Sequence, residues 1–90
     1  MYTEKDIAHI KTMLMQKSNL NAVTSADCEQ ISIAVFLSTD GYISTSTIKR
    51  LFGVIPSYNP PPKAILDILS QYLRFQDWDL FDSFQQENPL

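Results

Sequence analysis

The chain is poor in the residues on which most site chemistry is built: it has two glycines, one cysteine and one histidine in 90 residues. Two glycines supply neither form of phosphate-cradling loop, the G-x-x-x-x-G-K-[ST] run or the G-x-G-x-x-G run. A single cysteine, Cys28, excludes an internal disulfide framework and any zinc site made of cysteine pairs. Nucleophilic catalysis would need His9 beside Cys28 or a serine, and no orienting third group stands at a recognisable spacing. Asp77, Asp79 and Asp82 read as capping and solvated face rather than as an acid–base pair. The expectation is a protein that is not an enzyme and takes no cofactor and no metal. Long apolar runs are also missing. The longest, Ile31 to Leu37, is interrupted by Ser32 and falls far short of the roughly 20 residues that span a bilayer. The first eleven residues carry acids from Glu4 onward and have no apolar signal core, so the expectation is a cytoplasmic protein or one whose signal has been removed.

What is present suits a small core. Hydrophobic residues make up 44% and charged residues 19%, with a net charge of −3. Disordered chains combine low hydrophobicity with high net charge, and this one does neither. The length fits one domain, 1–90, whole or as the N-terminal part of a longer protein.

The apolar spacing is helical, and the breaks between helices can be named. A first helix opens at Thr3, with Glu4 and Asp6 at the positive end of its dipole and Ile7, Ile10, Met13 and Leu14 on one face. Ser18, Asn19 and Asn21 interrupt it. A second begins at Thr24 or Ser25, where Thr24 and Asp27 form an acidic capping box. Cys28, Ile31, Ala34, Val35 and Phe36 or Leu37 make its expected buried side, and Gly41 its left-handed stop. In the third, Ser44 is the N-cap, Ile43 and Ile48 form a hydrophobic staple, and Gly53 is the stop. Ile48, Leu51 and Phe52 share a face, which directs Thr45, Ser46, Lys49 and Arg50 elsewhere. Residues 54–62 form a proline-stiffened connector. A fourth helix has Pro62 near its first position and a broad stripe of Ile65, Leu66, Ile68, Leu69, Tyr72 and Leu73. A fifth, capped by Asp77, turns Trp78, Phe81 and Phe84 inward, and the tail from Gln85 frays before Pro89. No alternating run supports a sheet. The reading is all-α, with five short helices.

The third helix has the form of a DNA-reading element: a polar N-terminal half, two outward cations and a turn before it. Serine, threonine, lysine and arginine all donate to phosphate, and lysine or arginine can donate to guanine in the major groove. The helix N-terminus adds free backbone N–H groups. An ordinary N-cap and two solvated cations would look the same.

From Cys28 to Phe84 the chain resembles a family of helix-turn-helix regulators, mostly from Bacteroidetes, of the lambda-repressor/Cro-like type. The resemblance rests on Ile43-Ser44, on Thr47-Ile48-Lys49-Arg50-Leu51-Phe52-Gly53, and on the proline-bearing loop. Leu66, Leu69, Tyr72-Leu73 and Phe75 continue it, and Trp78 with Phe81 closes it. It implies a lambda-repressor/Cro-like helix-turn-helix domain acting as a transcriptional regulator on double-stranded DNA. Ser44, Thr45, Ser46, Lys49 and Arg50 would be the readers, with Lys63 as a phosphate contact. Three departures stand out. Arg74 replaces a glycine at the end of the fourth helix, Pro62 replaces a serine N-cap, and the turn before Ser44 is longer than the common three or four residues. Charge weighs against DNA, since phosphate neutralisation supplies much of such affinity. Residues 1–66 hold six cations against five acids, and residues 67–90 one arginine against five acids. The acidic end can face away from a duplex, and a homodimer would double the few phosphate contacts. The rival reading is a protein-interaction or dimerisation module with the same fold and no DNA binding. Among single residues, His9 reads as a surface or boundary side chain, Cys28 as a buried small hydrophobe, and Trp78 as core. Tyr58, which nothing in the pattern buries, reads as a partner contact.

Overall fold

The computed structural model describes residues 4–57 and 59–87, and within them the chain is all-helical, with no strand. The five helices are α1 (Glu4–Lys17), α2 (Ser25–Thr39), α3 (Thr45–Leu51), α4 (Lys63–Tyr72) and α5 (Trp78–Glu87). Thr3, Tyr58 and Pro89 lie outside the described residues. The fifth helix runs on to Glu87, past the point at which fraying was expected.

Local chemistry starts the helices. Thr24 and Asp27 form the capping box: the Asp27 N–H donates to Thr24 Oγ1 at 3.3 Å, and the Thr24 N–H donates to Asp27 Oδ2 at 2.9 Å. Ser44 caps α3, accepting from the Thr47 N–H at 3.1 Å. Ile43 and Ile48 are both buried, as a hydrophobic staple requires. Pro62 precedes the first residue of α4 as its N-cap, one position earlier than expected, and offers no side-chain cap. Two carboxylates start α5. Asp77 accepts from the Leu80 N–H at 3.0 Å, and Asp67 reaches across from α4 to accept from the Trp78 N–H at 2.9 Å.

Four helices stop at a left-handed residue, and only one of these is glycine: Asn19, Asp40, Gly53 and Arg74 have φ of 57°, 61°, 74° and 76°. After α3, the Val54 N–H donates to the Lys49 carbonyl at 2.8 Å and the Gly53 N–H to that of Arg50 at 3.3 Å. After α4, the Phe75 N–H donates to Ser70 at 2.9 Å and the Arg74 N–H to Gln71 at 3.0 Å. Both are Schellman closures. Asn and Asp tolerate this conformation because their short polar side chains can hydrogen-bond locally; arginine has no such relief.

Gly41 does not serve as the left-handed stop of α2, because Asp40 takes that position. The glycine answers a packing need instead: a Cβ there would lie 2.9 Å from Ile68 of α4.

The core draws Ile10 and Leu14 from α1, Cys28, Ile31 and Val35 from α2, and Ile48 and Leu51 from α3. Leu66, Leu69, Tyr72, Trp78 and Phe81 complete it from α4 and α5. Phe81 is central: Trp78 stacks on it at 5.3 Å, Phe75 meets it edge-on at 5.2 Å, and His9 packs against it at 5.4 Å. His9 is therefore buried rather than a surface group, since α1 lies directly against α5. Phe84, expected inside, is 42% exposed while its ring contacts Phe75. Phe36 and Leu37 are also outside, at 46% and 77% exposure. Ile31 and Val35 already fill the inner face of α2, and a helical register that buries them turns 36 and 37 outward.

Candidate nucleic-acid interface

α3 is held against α2 by its apolar side and by one buried polar link. Ile48 is fully buried and Leu51 nearly so. Behind them, the Ser32 hydroxyl of α2 donates to the Ile43 carbonyl at the entry to α3. That bond satisfies a buried hydroxyl and fixes the approach of residues 40–44 to the helix. No buried side-chain oxygen or nitrogen is left unpaired among the described residues.

A helical register with Ile48 and Leu51 inside places Ser46 at the middle of the outer face, flanked by Lys49 and Arg50. Ser46 and Arg50 are exposed; Thr45 and Lys49 are half-buried. Lys49 lies toward the start of α2, close enough for its charge to act on the Cys28 thiol. Burial pushes that thiol up, and Lys49 offsets the rise in part. Arg50 lies on the opposite flank. With Ile7, Thr47 and Leu51, it lines an open groove of about 780 Å³ whose far wall is the connector of Pro56, Pro60, Pro61 and Pro62. Neither cation pairs with a carboxylate among the described residues.

Ser44 is not free to read anything. Its hydroxyl accepts from the Thr47 backbone and lies 2.9 Å from the Thr47 hydroxyl, so its polar capacity goes into the cap. Lys63 is also engaged. Its ammonium sits 3.1 Å from Asp79 Oδ2 at the start of α5, and the hydrogen bond to Asp79, followed by the charges of Asp79, Asp67 and Asp77, raises its pKa. Of the six residues singled out in the sequence, α3 thus brings Thr45, Ser46, Lys49 and Arg50 to one surface, while Ser44 caps the helix and Lys63 faces α5.

The charge around this surface has a feature that residue totals conceal. From Gly41 to Leu66 there is no Asp or Glu, and the stretch contains three of the chain's seven cations. The carboxylates nearest in sequence, Asp40 and Asp67, bound it on either side. Lys17, on the other hand, donates to the Tyr72 carbonyl at 2.8 Å and lies 4.5 Å from that ring, closing the end of α4.

No group of three or more potential metal ligands occurs among the described residues, and no described helix is long and apolar enough to cross a membrane. No protein-family description, curated protein or solved structure matches the chain.

Proposed function

We propose that the chain is the DNA-binding domain of a transcriptional regulator, a lambda-repressor/Cro-like helix-turn-helix with α3 as its recognition helix. The observation that carries this reading is the acid-free stretch from Gly41 to Leu66, with Lys49 and Arg50, unpaired with any carboxylate among the described residues, on the outer face of a helix anchored from behind by Ile48 and Leu51. In a major groove, the Arg50 fork suits guanine or a bidentate phosphate, Lys49 suits a phosphate, and the Ser46 hydroxyl suits either. The resemblance of residues 43–53 to Bacteroidetes regulators of this type points the same way. Ser44 is left out of the reading surface because its hydroxyl caps α3, and Lys63 because it stands off α3, in a solvent-exposed pair with Asp79.

Two phosphate-neutralising cations make a weak monomeric binder. Titration of random duplex DNA against salt should give a log–log slope near −2, because each neutralised phosphate contributes about −0.9. Absence of binding at low salt would favour the rival, a protein-interaction module.

A further inference from the structure

We infer that the groove between α3 and the proline connector is a binding site for a small organic monocarboxylate with an apolar body. The groove is open and encloses about 780 Å³, within the roughly 300–1,000 Å³ of ligand sites. Ile7 of α1 and Leu51 of α3 give it apolar surface, and Pro56, Pro60 and Pro61 form the opposite wall. Proline fixes φ, so that wall is set before anything binds and little chain entropy is lost on binding.

The polar groups of the groove identify the head of the ligand. Arg50 is the one charged side chain among the described residues that line it. That guanidinium is exposed and pairs with no carboxylate among the described residues. The neutral hydroxyls are already used: that of Thr47 lies 2.9 Å from the Ser44 hydroxyl, and that of Ser57 donates to the Asn59 carbonyl at 3.0 Å. Lys63, next after Pro62, is paired with Asp79, and Lys49 stands on the other flank of α3. A planar fork with one charge and no second cation beside it matches one carboxylate, held by two parallel N–H···O bonds. A phosphate monoester, with close to two charges, would leave one of them unmatched.

The walls do not oppose such a head. Every lining residue except Ile7 falls between Gly41 and Leu66, the stretch that contains no Asp or Glu. A carboxylate therefore meets no like charge on the walls, while its aliphatic chain covers Ile7, Leu51 and the prolines. An uncharged analogue forfeits the Arg50 contact, and a cationic one is repelled by it. On the proposed reading of α3, ligand and duplex draw on the same guanidinium and exclude each other there; the site itself does not depend on that reading.

Titration of the DNA-free chain with hexanoate, at ionic strength held constant with chloride and followed by NMR of backbone amides and methyl groups, tests the site. Shifts should saturate with a dissociation constant on the order of millimolar and centre on Ile7, Thr47, Leu51 and Asn59. Hexanol on the parent, and hexanoate on Arg50→Gln, should each bind at least about tenfold more weakly, because each lacks one charge of the pair. Arg50 is exposed and unpaired, so Arg50→Gln should melt like the parent, and the hexanol comparison needs no variant. Equal binding of hexanol and hexanoate, or equal hexanoate binding by Arg50→Gln, would overturn the proposal. Shifts centred on Ile33, Phe36 and Leu37 of α2, or no saturable shift at tens of millimolar hexanoate, would overturn it as well.

Discussion

Charge is used in opposite ways at the start of α5 and on the outer face of α3. Around α5, Asp67 and Asp77 satisfy the backbone N–H groups of Trp78 and Leu80, and Asp79 holds Lys63. Those groups have a local, structural task. On α3 the two cations follow the dipole of a seven-residue helix, but they meet no carboxylate among the described residues. The contrast separates charges engaged by groups of the same chain from charges that meet no carboxylate among the described residues. It also shows how a chain of net −3 can keep an acid-free stretch: five of its ten acids, Asp67, Asp77, Asp79, Asp82 and Glu87, lie on α4, α5 and the turn between them.

The comparison breaks if the acids near α5 prove dispensable. Asp67→Ala leaves the part-buried Trp78 N–H without its acceptor, and should cost about 1–3 kcal/mol. For a domain of this size that is a fall in Tm of several degrees, about 4–8 °C per kcal/mol. A variant that melts like the parent would reduce the Asp67 contact to a solvated one.

The second prediction sharpens the contrast at the ends of the same two regions. α3 and α4 close with the same motif, on Gly53 and on Arg74. Nothing lies within 4 Å of a Cβ placed on Gly53, so Gly53→Val tests backbone strain without a clash, and should destabilise by at least about 1 kcal/mol. Arg74→Gly removes the same kind of strain and should stabilise by up to about 1 kcal/mol, less what the more flexible unfolded chain takes back. Urea unfolding of both variants should give shifts of opposite sign; shifts of the same sign would contradict the shared closure.

How much of this was legible in the sequence depended on the range of each interaction. The Thr24–Asp27 box, the Ser44 cap, the Ile43–Ile48 staple and the Gly53 stop all lie within a few residues of their partners, and each is read directly from spacing. Features governed by distant partners were not. Gly41 looks like a helix stop until Ile68 is seen against it. Asp67 looks like a solvated acid, and the N–H it accepts from lies eleven residues on. His9 is buried only because α1 lies against Phe81. Periodicity failed for Phe36 and Leu37 for a different reason: on a helix apolar on both sides, a hydrophobic pattern does not define a face. The surface on α3 was legible as residue types, but removing Ser44 and Lys63 from it required the cap geometry and the Asp79 contact.

The smallest expected effect on stability falls on the residues with the largest expected effect on binding. Replacing Lys49 and Arg50 together by alanine should change unfolding free energy by no more than about 0.5 kcal/mol, since Arg50 is exposed, Lys49 is only half-buried, and neither pairs with a carboxylate among the described residues. The direct measurement is the affinity of that double variant for random duplex DNA across a salt series, beside the parent. The predicted result is a folded protein whose binding is lost and whose salt slope collapses from about −2 toward zero. A folded double variant that binds duplex DNA with the parent's affinity and slope would contradict the assignment of α3 as the reading helix.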